Sequence, residues 1–177
     1  MSKYTKYLVE KNKKRRRIRE ACHTVILSMA LTLCFSIPVA LNASDRATYI
    51  NQEYIDYVYS VCEQKNLCPE LVIAVIETES AGRHDVISSH GCIGLMQLDP
   101  RYFSGNLFDW RNNIDQGTDY LLELFQKYND APTVLTAFNT GEYSNATRYA
   151  VCSGKGNGYS EKVLKRTEEL ERIRENN

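Results

Sequence analysis

The chain has 177 residues, 22 Lys and Arg against 22 Asp and Glu, 43% hydrophobic residues and six cysteines. That length leaves room for one domain with an appendage. The zero net charge hides an asymmetry. Residues 1–20 hold nine Lys and Arg against Glu10 and Glu20, a net +7, while the other 13 basic and 20 acidic residues net −7.

Between Ala21 and Ser44 there is no charged side chain, and the run from Val25 to Leu41 is mostly apolar. As a helix rising about 1.5 Å per residue it could span a bilayer of roughly 30 Å. The basic flank Lys11 to Arg19 should stay cytoplasmic, which places everything after Asp45 on the exported side. Its position before an apolar span favours membrane orientation over nucleic-acid binding. A cleaved signal peptide competes with an anchor, since Ala40 and Ala43 resemble a processing site. The long basic lead and the poor fit of Leu41 or Pro38 favour the anchor. The expected plan is a basic cytoplasmic lead (1–20), an anchor or signal peptide (21–43), a working domain (48–169) and a charged, fraying tail (170–177).

Cys22 and Cys34 fall in or beside the apolar span, leaving Cys62, Cys68, Cys92 and Cys152 on the exported side. An even number in an oxidising compartment permits two bridges. Cys62 with Cys68 and Cys92 with Cys152 are the expected pairs, against an alternative of four small buried apolar residues. The spacings do not suit zinc, so no metal and no cofactor is expected.

Ile50, Tyr54, Tyr57, Val58, Val61 and Cys62 recur at helical spacing, predicting an amphipathic helix over 48–65. Pro69 and Glu70 suit a helix first turn, and Leu71 to Ile76 is apolar on every side, which marks a central, buried helix ended by Gly82. Residues 83–111 show no sustained period. A helix is predicted from about Asn113 with Ile114, Gly117, Leu121, Leu124, Phe125 and Tyr128 on one face, and another from Pro132 to about Gly141. Ser144 to Cys152 reads as a short helix, Ser153 to Gly158 as a loop, and Tyr159 to Glu169 as the last helix.

At the end of the apolar helix stand two carboxylates, Glu77 and Glu79, followed by the glycine-punctuated loop Gly91-Cys92-Ile93-Gly94-Leu95-Met96-Gln97. A carboxyl desolvated by an apolar helix, at the helix end where the dipole disfavours negative charge, has its pKa raised towards the range of a general acid. Residues two apart face different sides of a helix, so only one can face a groove, and geometry alone leaves the choice open.

Five blocks carry a family resemblance: Glu79-Ser80; Ser88-x-x-Gly91-x-x-Gly94-Leu95-Met96-Gln97; Asn113-x-x-x-Gly117-x-x-Tyr120-Leu121; Ala137-Phe138-Asn139-Thr140-Gly141; and Tyr159-x-x-Lys162-Val163. Over about residues 48–165 the chain resembles the soluble lytic transglycosylase (SLT) domain, a lysozyme-like family that cleaves peptidoglycan. The resemblance implies a mainly α, lysozyme-like single domain, preceded here by the N-terminal transmembrane or signal helix, with a weak hairpin within 83–111. It implies that Glu79 is the single catalytic acid and base, that Ser88, Met96, Gln97 and Asn139 line sugar subsites, and that Tyr159 positions Glu79 or the substrate. Asn113 and Gly117 read better as structural, a helix start and a close helix contact. Cys92 stands where the family usually has Ala, and Phe138 where it usually has Tyr.

The implied reaction splits the β-1,4 bond between N-acetylmuramic acid and N-acetylglucosamine and closes a 1,6-anhydro ring. It suits a site without a clear second carboxylate, since Asp99 before Pro100 is turn chemistry and Asp85 lies in a polar loop. The implied partners are glycan strands, the membrane through residues 21–43, and an envelope-spanning secretion, conjugation or phage machine. The alternatives are a hydrolytic muramidase of the same fold and a silent glycan-binding assembly protein.

Overall fold

The computed structural model of the chain describes residues 48–176, so the expected span at 21–43, with Cys22 and Cys34, lies outside the described residues. Six helices make up the described part: α1 (Gln52–Lys65), α2 (Pro69–Ser80), α3 (Trp110–Lys127), α4 (Ala131–Thr140), α5 (Asn145–Ser153) and α6 (Gly158–Asn176). No helix among the described residues is long and apolar enough to cross a membrane.

α2 is the centre. Pro69 opens it where no N–H partner is needed, and nine of its 12 residues, Glu70 to Glu77 and Ser80, are buried. Each buried Leu, Ile or Val contributes about 1.5–3 kcal/mol, so much of the packing energy lies directly beneath the helix end that carries Glu79. The helix ends at Ser80, one residue sooner than Gly82 alone would dictate. Ala81 caps it at φ 54°, its N–H donating to the Glu77 carbonyl at 3.2 Å.

α6 lies along α2 in the opposite direction. Glu70 near the start of α2 pairs with Arg174 near the end of α6, and Glu77 near the end of α2 pairs with Arg166. α4 packs on α5 and α6, and α3 links α1 to α4. Between α1 and α3, Trp110 sits against Tyr54 and Tyr57 at ring separations of 4.8 and 5.3 Å, and the Tyr57 hydroxyl donates to Asp115 at 2.9 Å.

Several expectations need correction. α3 begins at Trp110 with Asp109 as its cap, so Asn113 is not the helix start; its side chain is free for another task. The tail does not fray at 170, because Leu170 and Glu171 are buried and Arg174 reaches Glu70. Neither expected disulfide is present: Cys62, Cys68, Cys92 and Cys152 are all free. Cys62 and Cys68 are buried, and the Cys68 thiol donates to Glu70 Oε2 at 3.2 Å instead of facing a second sulfur. Burial pushes the Cys62 thiol up to about 12 and raises Cys68 further, so both behave as small buried side chains. Cys92 sits in the loop before α3 and Cys152 is exposed on α5.

Candidate active site

The long segment between α2 and α3 has little regular structure, with isolated antiparallel bridges joining Ile87 to Ile93 and Ile93 to Leu98. Its shape is held chiefly by one residue of α3. Asn113, fully buried, accepts from the Met96 N–H at 2.8 Å and donates to the carbonyls of Ile93 and Leu107 at 2.9 and 3.0 Å. The backbone must approach this amide closely: Gly94 has φ +80°, and a Cβ there would lie 2.4 Å from Asn113 Nδ2. Gly117, one turn further on, makes room for Met96, since a Cβ would lie 2.3 Å from its sulfur.

Met96 is therefore wholly buried beneath the loop. Its sulfur packs in the space that the missing Gly117 side chain leaves. Gln97 is the next residue and is strained, with φ 49°. Its amide donates to the Gly94 carbonyl at 2.9 Å and to the Val86 carbonyl at 3.4 Å. Among the described residues no donor reaches its Oε1, which is left to accept. Ser88 pins the turn: its hydroxyl accepts from the Cys92 N–H at 3.0 Å, and its N–H donates to the Cys92 carbonyl at 2.9 Å.

Glu79 is half-buried on the last turn of α2. Its pKa is raised, first by desolvation, with the Tyr159 phenol and the Lys162 ammonium of α6 pulling it back down. The Tyr159 hydroxyl is buried next to the carboxyl yet closes no hydrogen bond of normal geometry. It is one of only two buried side-chain polar atoms without a partner among the described residues, the other being Thr133 Oγ1. The causes of the Glu79 shift include no carboxylate. Asp99 is tied to Arg101, which holds its carboxyl below the usual range, and Asp85 is exposed. Glu77 is engaged with Arg166 and Thr48.

Asn139 is exposed at the end of α4 and its Oδ1 accepts from Asn157 Nδ2 at 3.2 Å. Beside it Phe138 stacks on Tyr120, which meets Phe103, both ring pairs 5.6 Å apart. Two residues of this neighbourhood carried no role in the sequence reading. Asn157 holds Asn139, and its capping position before α6, where Oδ1 accepts from the Ser160 N–H at 3.0 Å, is a signal that was legible. Lys162 belongs to the fifth block, and its one-turn spacing from Tyr159 puts both on one face of α6.

The domain is helical, built around a buried central helix whose last turn carries a desolvated carboxyl and which leads into a glycine loop pinned by α3. The Transglycosylase SLT domain model matches residues 56–151, more than half of the chain, and the chain belongs to that family. It is 37% identical over 106 residues to a transglycosylase of Enterobacteria phage PRD1, covering 58% of this chain and 38% of the relative. It is 24% identical over 163 residues to the membrane-bound lytic murein transglycosylase C of Haemophilus influenzae, covering 79% and 43%. The fold matches the 70 kDa soluble lytic transglycosylase SLT70 of Escherichia coli with a TM-score of 0.59 at 23% identity, over 68% of this chain and 24% of that one. This chain spans less than half the length of each of these relatives.

Proposed function

We propose that this protein is a peptidoglycan lytic transglycosylase of the cell envelope, with Glu79 as both acid and base. The observation that carries the reading is the half-buried Glu79 carboxyl, its pKa raised by desolvation, while Glu77 is forked to Arg166 and Asp99 is tied to Arg101. Desolvation favours the protonated form of a carboxyl, the form that can deliver a proton to a leaving oxygen. Ordinary retaining or inverting cleavage needs a second carboxyl as nucleophile or base, and a reaction in which the substrate supplies its own nucleophile does not.

In the proposed reaction Glu79 gives its proton to the glycosidic oxygen between N-acetylmuramic acid and N-acetylglucosamine, and the C1–O bond breaks. The N-acetylglucosamine side leaves with a free C4 hydroxyl. The Glu79 carboxylate then takes the proton of the muramic C6 hydroxyl as that oxygen bonds to C1, closing the 1,6-anhydro ring and restoring the acid. No water is consumed. Gln97 Oε1, Asn139 and Ser88 are proposed to meet the sugars, and Met96 to support Gln97 from below. The Tyr159 phenol is proposed to donate to the Glu79 carboxylate once the first proton has left, which would supply the partner its hydroxyl lacks.

The name of the H. influenzae relative, a membrane-bound lytic murein transglycosylase, supports murein as the substrate and the envelope as the site of action; local wall remodelling around an envelope-spanning machine is the setting we propose. Glu79→Gln keeps the shape of the side chain and removes the acid, so it should reduce fragment release from purified peptidoglycan to background while leaving the far-ultraviolet circular dichroism unchanged. An active, folded Glu79→Gln protein would place the acid elsewhere.

A further inference from the structure

Glu77 and Glu79 stand at the C-terminal end of α2, and α6 faces them with Tyr159, Lys162 and Arg166, which share one stripe of that helix. The proposed chemistry of Glu79 does not use Glu77, yet Glu77 is only 8% exposed. A carboxylate so enclosed needs partners. Arg166 supplies a fork: Nε donates to Oε2 at 2.6 Å and Nη2 donates to Oε1 at 3.2 Å. The Thr48 hydroxyl donates to the same Oε1, and Arg166 Nη1 donates to Glu169 Oε2 at 3.2 Å. The Tyr49 hydroxyl donates to the Glu77 carbonyl at 3.5 Å. A planar fork on two oxygens fixes orientation as well as distance.

Because α6 runs antiparallel to α2, whatever fixes Arg166 on Glu77 also fixes how far along α2 the α6 side chains fall. Arg174 on Glu70 holds the remote end, and Arg166 on Glu77 holds the end next to Glu79. We propose that the Glu77–Arg166 pair is a positioning device for the reaction, locking α6 in the register that sets the Tyr159 phenol and the Lys162 ammonium against Glu79. The inference rests on the assignment of Glu79 as the acid. Tyr159 and Lys162 of α6 are the titratable groups that act on Glu79, while Glu77, Arg166, Tyr49 and Glu169 interact among themselves next to it.

A register role and a simple charge effect differ in sign. Through charge alone, Arg166→Gln removes a cation and raises the Glu79 pKa, whereas Glu77→Gln removes an anion and lowers it. Through register, both changes release Tyr159 and Lys162, two groups that favour the Glu79 carboxylate, so both raise it. The Glu79 carboxyl is followed by 13C NMR titration in the folded full chain, its signal assigned by its loss in Glu79→Gln, for Glu77→Gln, Arg166→Gln and Arg166→Lys. Arg166→Lys keeps the charge, loses the fork and guards against a variant that fails to fold. Turnover of soluble glycan oligomers is measured alongside. Glu79 is expected to titrate higher in all three variants, with kcat down about tenfold to a hundredfold and KM near that of the parent. An unchanged Glu79 midpoint in the folded variants, or opposite shifts in Glu77→Gln and Arg166→Gln, overturns the proposal. Activity surviving in Glu79→Gln would overturn the assignment of the acid instead, and the titration reads the register whichever way that falls.

Discussion

Glu79 is held in conflict, since the fold desolvates it while the proposed chemistry needs it to shed and regain a proton. Its raised pKa has a consequence for stability. A carboxyl whose folded pKa lies above its unfolded value binds more protons folded than unfolded between the two, so stability falls as pH rises through that window and stays lower above it. Glu79→Gln carries no such penalty. The variant is expected to unfold at higher urea than the parent at pH 7, with the difference vanishing below the ordinary carboxyl value of 4.5; equal midpoints at both pH values would mean that burial places no strain on this group. Met96 and Gln97 show the limit of reading single residues. Adjacent in a glycine loop, one is buried against Gly117 and the other is strained with an open acceptor, a difference set by α3 and invisible in the loop itself.

At the scale of elements, the loop between α2 and α3 depends on α3 more than on itself. Asn113 joins three backbone groups of the loop in one buried amide. Asn113→Ala leaves the Met96 N–H and two carbonyls without their partner, each costing about 1–3 kcal/mol where water cannot reach. A loss of about 3 kcal/mol is expected in urea unfolding, with a larger loss of activity than the melting shift explains because Gln97 loses its frame; an unchanged midpoint would contradict this account of the loop. The helices were legible because their signals are local: the apolar run Leu71 to Ile76, Pro69 at a first turn and the stripe from Ile114 to Leu124. The exact start of α3 was not, because Asp109 competes with Asn113 for the cap and only tertiary contacts show which amide is needed elsewhere. The cysteine pairs were not legible either, since four cysteines fit several connectivities and only the fold shows Cys68 turned to Glu70.

Among the described residues, α2 is bracketed by two polar clusters that it shares with α6. Cys68, Glu70, Tyr59, Glu171 and Arg174 gather at its start, and Glu77, Glu79, Tyr159, Lys162 and Arg166 at its end. Residues as far apart as Glu77 and Arg166 give no local signal of their pairing, and the burial of Leu170 and Glu171 in an apparently charged tail follows only once α6 is laid along α2. The family blocks, by contrast, pointed to Glu79 and the glycine loop because their order and spacing are written in the chain itself. The central claim is that one carboxyl suffices because the substrate supplies the nucleophile, and the mass of the products tests it most directly. Purified peptidoglycan is incubated with the full chain and the released fragments are weighed. The account predicts 1,6-anhydromuramoyl ends, each one water lighter than the product of hydrolysis, and fragments with reducing muramic acid ends would contradict it.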